Sequence, residues 1–412
     1  MTSDPPVRTD PELGVTAARG FRAGAAAAGI KASGKPDVAV LASDLDAAAA
    51  AVFTTNRVVG APVLVSREHL ARRRRMRGVV VSSGCSNVCT GEQGLKDARE
   101  MAGLAARSLG CPAEAVLVAS TGVIGRFLPM DRVRAGVAAA CAHLAAGPEA
   151  DRAFAEAILT TDTRPKQAGT RLALGGRTVT LAGATKGVGM IEPAMATTLS
   201  FLATDAAVEP GFLQAALGRA VARTYNCLTI DGHQSTSDTM AVLASGLAME
   251  GAPPMGGGSP DAPRFEAALE AVCAALAREI AADAEGGTKV IEVSVTGAAT
   301  PDEARRAARA IANSPLVKCA FFGEDPNWGR IVSAAGGAGI SAGPETMRLK
   351  IGGLLLFERG RPTGADPDAL KAAMRARDIA VHLDLGAGRG QARYLTCDLS
   401  TDYVKINAEY TT

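Results

Sequence analysis

An excess of either charge is missing from this sequence. Its 44 Lys and Arg nearly balance 42 Asp and Glu, a formal net charge of +2 over 412 residues. That balance gives no reason to expect a nucleic-acid or other polyanionic partner. No run of about 18 apolar residues occurs, so no membrane span is predicted. Met1 to Leu13 is polar, carries Pro5, Pro6 and Pro11, and has no apolar segment of the signal-peptide kind. Eight Cys are too few for a disulfide scaffold in a chain this long. Cys85 and Cys89 lie close together, but no second Cys/His pair stands at finger-like spacing, and His69, His143, His233 and His382 are scattered. The expectation is no metal, free thiols and a cytoplasmic setting.

What is present suits a large soluble globular protein: 47% hydrophobic and 21% charged residues, the apolar share inflated by alanine. The length suggests more than one domain or subdomain. Residues 1–18 read as a loose tail. Strands are expected at Val38–Ala42, Ala51–Phe53, Gly78–Gly84, Ala115–Ser120, Cys227–Ile230 and Thr288–Thr296. Leu172–Leu181, β-branched around Gly175-Gly176, reads as a hairpin. Helices are expected over Arg67–Leu70, Lys96–Leu109, Asp131–Leu144 and Phe265–Ile280, and where Leu213, Leu217 and Val221 recur four apart. Thr300-Pro301-Asp302-Glu303 is a capping box that starts another. The basic cluster Arg72–Arg75 with Arg77 reads as a solvated helix end. No internal repeat is evident.

The chain is organised around Lys186-Gly187-Val188-Gly189-Met190-Ile191-Glu192-Pro193-Ala194-Met195-Ala196-Thr197-Thr198-Leu199. It opens glycine-rich and ends on a small residue, a hydroxyl and an apolar run. One reading is ordinary: a Ser/Thr N-cap before the buried start of a helix through Leu199, Phe201 and Leu202. The other is self-cleavage between Ala196 and Thr197. Thr197 would then begin a new chain, and its freed α-amino group, with a pKa of about 7.7–8.0, could serve as general base for its own hydroxyl.

Lys-Gly-x-Gly-Met-Ile-x-Pro-x-Met-Ala-Thr, with Thr204-Asp205-Ala206 soon after, resembles the processing site of the ornithine acetyltransferase (glutamate N-acetyltransferase) family. Further likenesses follow in order from Gly20 to Thr412: Phe53–Arg57, Ile158–Lys166, Asp231–Thr239, Gly323–Ile331 and the tail Tyr403–Thr412. The chain departs from the family where Cys85 and Ser86 stand in a usually Asn-rich loop, and where Ser237 replaces an asparagine. No catalytic role is assigned to Ser237, and His233 reads as a surface or loop residue. Trp328, the only Trp, reads as structural.

The resemblance implies an α/β fold, a layered sandwich with mixed sheets, cut into an α chain 1–196 and a β chain 197–412 whose tail returns to the active site. It implies Thr197 as nucleophile, with the Thr121 hydroxyl and the Gly122 N–H as oxyanion hole. It places Thr160, Lys186, Thr197, Glu285, Asn407 and Thr412 against substrate: Lys186 on a carboxylate, Glu285 facing the ornithine ammonium. The implied reaction passes acetyl from N-acetylornithine to glutamate by a ping-pong route, without cofactor, in a heterotetramer of two α and two β chains. Acetyl-CoA as an additional donor, and an N-terminal-nucleophile aminopeptidase that passes the acyl group to water, are the alternatives. A nucleotide module on Gly183–Gly189 ranks low, because it lacks the Gly-Lys-Ser/Thr ending of a phosphate loop.

Overall fold

The computed structural model describes residues 7–192 and 198–409. Among them, fourteen strands form two mixed sheets flanked by helices. The larger sheet contains β1 (Phe21–Ala26), β2 (Val38–Phe53), β3 (Arg75–Cys85), β4 (Val116–Val123), β5 (Lys166–Leu174), β6 (Arg177–Lys186), β7 (Leu199–Thr204) and β8 (Thr239–Ala244). Its order is β4-β3-β2-β8-β7-β6-β5, with β1 beside the first half of β2. The pairs β3–β4 and β7–β8 are parallel. The smaller sheet contains β9 (Val290–Ala298), β10 (Arg348–Ile351), β11 (Leu354–Glu358), β12 (Arg361–Pro362), β13 (Asp378–Asp384) and β14 (Gly390–Cys397), ordered β12-β11-β10-β13-β9-β14.

The helices are α1 (Ala61–Arg72), α2 (Gly91–Leu109), α3 (Met130–Ala142), α4 (Pro148–Ala157), α5 (Pro210–Arg223), α6 (Ala262–Ala282), α7 (Pro301–Asn313), α8 (Pro315–Phe322), α9 (Trp328–Gly337), α10 (Pro367–Arg375) and α11 (Thr401–Glu409). None is long and apolar enough to cross a membrane.

Strand periodicity explains the layers. In β7 and β8, successive side chains point to opposite faces. Leu202, Met240 and Val242 meet α5 and α6, while Phe201, Ala203 and Leu243 join Phe21 and Phe154 on the other side. Both strands are therefore buried throughout. The expected α5 stripe of Leu213, Leu217 and Val221 is buried against this sheet; burying each such side chain contributes about 1.5–3 kcal/mol. In the smaller sheet Ala304, Ala307 and Ile311 of α7 cover Val293 and Val295 of β9, and Trp328 stacks on Phe357 with centroids 5.0 Å apart.

Several expectations change. The two short strands at 38–42 and 51–53 are one strand, β2, whose register slips between Ala42 and Ala47. Asp44, Leu45 and Asp46 are exposed at that irregularity, and their polarity hides the continuity. Cys227–Ile230 is not a sheet strand; Tyr225–Cys227 is a 3-10 turn and Leu228 makes a single bridge to Leu395. The helix start proposed through Leu199–Leu202 is β7. Residues 7–18 are not loose: Leu13, Val15 and Ala18 are buried, and Asp10 pairs with Gly169 on the sheet edge. The basic cluster divides between the end of α1 and the start of β3, where Arg72 pairs with Glu68 and Arg73 with Asp46. Thr300 caps α7 by accepting the Glu303 N–H at 3.1 Å, but the Glu303 carboxylate turns to Ser341.

β6 and β7 pair antiparallel from Leu181–Thr204 to Lys186–Leu199. Lys186 and Leu199, which bound the segment 187–198, are thus direct neighbours across the sheet.

Candidate active site

The strand and helix ends converge on a cleft of about 250 Å³. β4 supplies Thr121 and Gly122, which pair in register with Ser83 and Gly84 of β3. Gly122 has φ +126°, and a Cβ there would lie 2.4 Å from the Gly84 carbonyl carbon. Only glycine lets the end of β4 press this closely on β3. The turn after α4 supplies Thr160 and Thr161, β6 ends on Lys186, the turn after α6 carries Glu285, and α11 brings Tyr403 and Asn407.

Opposite charges face the cavity. The Lys186 ammonium donates to Oγ1 of Thr160 at 3.2 Å. Burial pushes its pKa below the usual lysine value, against the attraction of Asp162, Asp238 and Glu285. The Glu285 carboxylate accepts the Thr161 hydroxyl at 2.7 Å and the Asn407 amide at 2.9 Å. Its backbone N–H donates to Val188 O at 2.9 Å, tying the turn to the glycine-rich segment. Gly189 lies against this carboxylate; a Cβ there would be 2.5 Å from Oε2 of Glu285.

Behind the wall sits a buried ionic set. Lys166 Nζ lies 2.7 Å from Asp162 Oδ1 and 2.6 Å from Asp283 Oδ2. Burial opposes ionisation of Asp162, but Lys166, Lys186 and the Gly187 N–H outweigh it and hold that carboxyl below the usual range.

The segment expected to be cut is anchored on both sides of residues 193–197. Asp231 accepts the Met190 and Ile191 N–H groups at 2.6 and 3.0 Å. The buried Glu192 accepts Thr229 Oγ1 at 2.6 Å and Asn313 Nδ2 at 2.9 Å, and also pairs with Arg309. On the far side, the Thr198 N–H donates to Asp238 Oδ1 at 3.0 Å. Asp238 is fully buried, and desolvation pushes its pKa well up despite that bond. Among the described residues its Oδ2 and the Thr198 hydroxyl have no hydrogen-bond partner.

Thr121, Gly122, Thr160, Lys186, Glu285 and Asn407, named from the sequence, all line this one cleft. Ala196, Thr197 and Thr412 lie outside the described residues. Sequence reasoning missed Thr161, Asp231 and Tyr403. All three stand inside segments that resemble the family, Ile158–Lys166, Asp231–Thr239 and Tyr403–Thr412, which was the available signal. The Tyr403 hydroxyl lies 3.3 Å from Asp231, and burial with Asp231 and Glu285 nearby pushes its pKa up. His233 is exposed at the rim, and Ser237 lines the wall.

Two mixed sheets and a small polar cleft bearing both signs of charge define an α/β protein with a pocket sized for a small molecule. The ArgJ family model matches residues 22–412, and the chain belongs to that family. The "Arginine biosynthesis bifunctional protein ArgJ" of Symbiobacterium thermophilum is 50% identical over 401 residues, covering 97% of this chain and 98% of the relative. The protein of that name from Synechococcus sp. is 47% identical over 408 residues, with 97% of each covered. Among solved structures, Bacillus halodurans ArgJ is 41% identical with a TM-score of 0.48, covering 50% of this chain and 96% of its own. The ornithine acetyltransferase of Mycobacterium tuberculosis, complexed with ornithine, is 41% identical with a TM-score of 0.43, covering 45% and 98%.

Proposed function

We propose that this protein is a glutamate N-acetyltransferase of arginine biosynthesis that cleaves itself between Ala196 and Thr197 and moves acetyl from N-acetylornithine to glutamate. The observation that carries this reading is the meeting of Thr121, Gly122, Thr160, Lys186, Glu285 and Asn407 in one cleft, in a chain half identical to an arginine-biosynthesis relative. They come from five separate places in the sequence.

Thr197 Oγ attacks the acetyl carbonyl of N-acetylornithine, and the Thr197 α-amine takes the hydroxyl proton. Negative charge collects on the carbonyl oxygen, where the Thr121 hydroxyl and Gly122 N–H stabilise it. The C–N bond breaks, ornithine leaves with the proton, and acetyl remains as an ester on Thr197. The glutamate amine then attacks that ester, giving N-acetylglutamate and restoring Thr197. Lys186 binds a substrate carboxylate, and Glu285, braced by Thr161 and Asn407, faces the ornithine ammonium. Thr412 completes the pocket from the tail. The working form is a cytoplasmic heterotetramer of two 1–196 and two 197–412 chains, and the transfer needs no cofactor.

Intact mass under denaturing conditions tests the cut: two species ending at Ala196 and beginning at Thr197 are expected, and one species from Thr197→Ala. An active preparation with a single uncut chain would sink the mechanism. The relatives' name, bifunctional, favours a second reading in which acetyl-CoA also donates. Our reading takes recycling from N-acetylornithine as the main activity. Initial rates of N-acetylglutamate formation from each donor separate the two, and free acetate without glutamate dependence would indicate a hydrolase.

A further inference from the structure

We infer that Asp162 is a positioning residue for substrate binding: one buried carboxylate that fixes both Thr160 and Lys186 on the same wall of the cleft. This rests on the reading of Lys186 as the group that meets a substrate carboxylate. Asp162 does not line the cleft, and its side chain is 0% exposed. Its two oxygens nevertheless reach both residues. Oδ2 accepts the Thr160 N–H at 3.1 Å, and Oδ1 accepts the N–H of Gly187, the residue after Lys186, at 2.7 Å. Between these fixed points the Lys186 ammonium bonds to the Thr160 hydroxyl, so the ends of two separate segments form one donor pair.

The carboxylate itself is held. Lys166 bridges Asp162 to Asp283. Asp283 in turn accepts the Thr163 N–H at 3.1 Å and lies two residues before Glu285. One connected polar set therefore runs from the lysine wall to the turn that carries Glu285. A buried ion pair is seldom more stabilising than apolar residues of similar volume. Its placement behind two substrate-facing groups is accounted for by geometry: Lys186 must be ammonium in form and fixed in place, and a charge-assisted network supplies both.

The test is a cycle of variants read as KM and kcat, on protein whose cleavage is verified by intact mass. Lys186→Met alone should raise KM for N-acetylornithine by about 10- to 100-fold, the loss of one hydrogen bond to a charged group. Asp162→Asn should raise the same KM, moving it more than kcat. Asp162→Asn added to Lys186→Met should change KM by less than it does in the wild-type background, because only the part carried through Thr160 remains. A purely structural Asp162 would instead multiply the two effects, and that result overturns the inference. An unchanged KM in Lys186→Met overturns the reading of Lys186 itself, a distinguishable failure. Asp162→Asn leaves Lys166 to Asp283 alone and gives the buried set of Lys166, Lys186 and Asp283 one positive charge in excess, which can cost folding. The paired variant Asp162→Asn/Lys166→Met removes both charges together and carries the same expectation; wild-type KM in that folded variant also overturns the inference.

Discussion

Asn407 donates its side-chain amide to Oε2 of Glu285 at 2.9 Å, so the last helix of the chain closes onto the cleft. α11 has no buried residue of its own. Its hold comes from this bond, from Tyr403 against Asp231, and from Ser400 Oγ donating to Gly286 O at 2.5 Å. The chain as far as Glu409 is thus placed by polar contacts with residues that line the cleft.

Asn407→Ala should therefore raise KM for N-acetylornithine by roughly 10-fold, the value of one hydrogen bond to a charged group at its lower end. The melting temperature should barely move, because Asn407 is not part of a core. Steady-state kinetics beside a thermal melt check this, and an unchanged KM removes Asn407 from the site.

Thr121→Ala should lower turnover by roughly 10²–10³, the usual cost of one oxyanion donor, with the fold intact. Single-turnover acetylation of the nucleophile chain, followed by mass, reads the chemical step directly. Wild-type turnover at saturating substrate would take Thr121 out of the mechanism.

Gly189→Ala should damage the Glu285 wall without touching the oxyanion hole. Its methyl group would fall 2.5 Å from Oε2, so the carboxylate must move away from Thr161 and Asn407. Because the clashing atoms are the end of a flexible side chain, the shift costs little stability and is read in binding. The expected outcome is a KM rise confined to N-acetylornithine, with rates from N-acetyl amino acids whose side chains are uncharged less affected.

The lowered pKa of Lys186 gives the alkaline side of the pH profile its direction. An ordinary lysine holds its proton to about 10.5. Between the lower folded-state value and 10.5, the unfolded chain stays protonated while the folded site does not. Raising the pH through that window favours the folded protein yet strips the charge we propose to meet a substrate carboxylate. KM should rise on an alkaline limb that begins below 10.5, and Lys186→Arg, which stays charged, should lose that limb.

Legibility in the sequence followed the range of the interaction. The hairpin around Gly175-Gly176 was readable because turn and strands are adjacent. The continuity of β2 was not, since Asp44 and Asp46 bulge outward midway and break the apolar pattern. Leu228 and Ile230 are buried as a strand would bury them, but in a segment the sheet does not include. The site residues came from resemblance to a family rather than from periodicity. Asp162, Lys166 and Asp283 escaped notice because charged residues are ordinarily solvent-facing, and the third member stands more than a hundred positions from the others.

The side-by-side pairing of β6 with β7 means that a cut between them would alter the molecularity of unfolding more than the folded shape. Six backbone-paired positions, from Leu181–Thr204 to Lys186–Leu199, would hold the fragments together after the peptide bond is gone. An uncut chain recovers from complete unfolding by a first-order search along its own length. The cut protein would recover only by a second-order encounter of two separate molecules. Its melting temperature should accordingly rise more steeply with protein concentration than that of uncut Thr197→Ala. At the dilution of a cell extract, maturation would act as a ratchet: the step that frees the nucleophile would also make thermal inactivation hard to reverse.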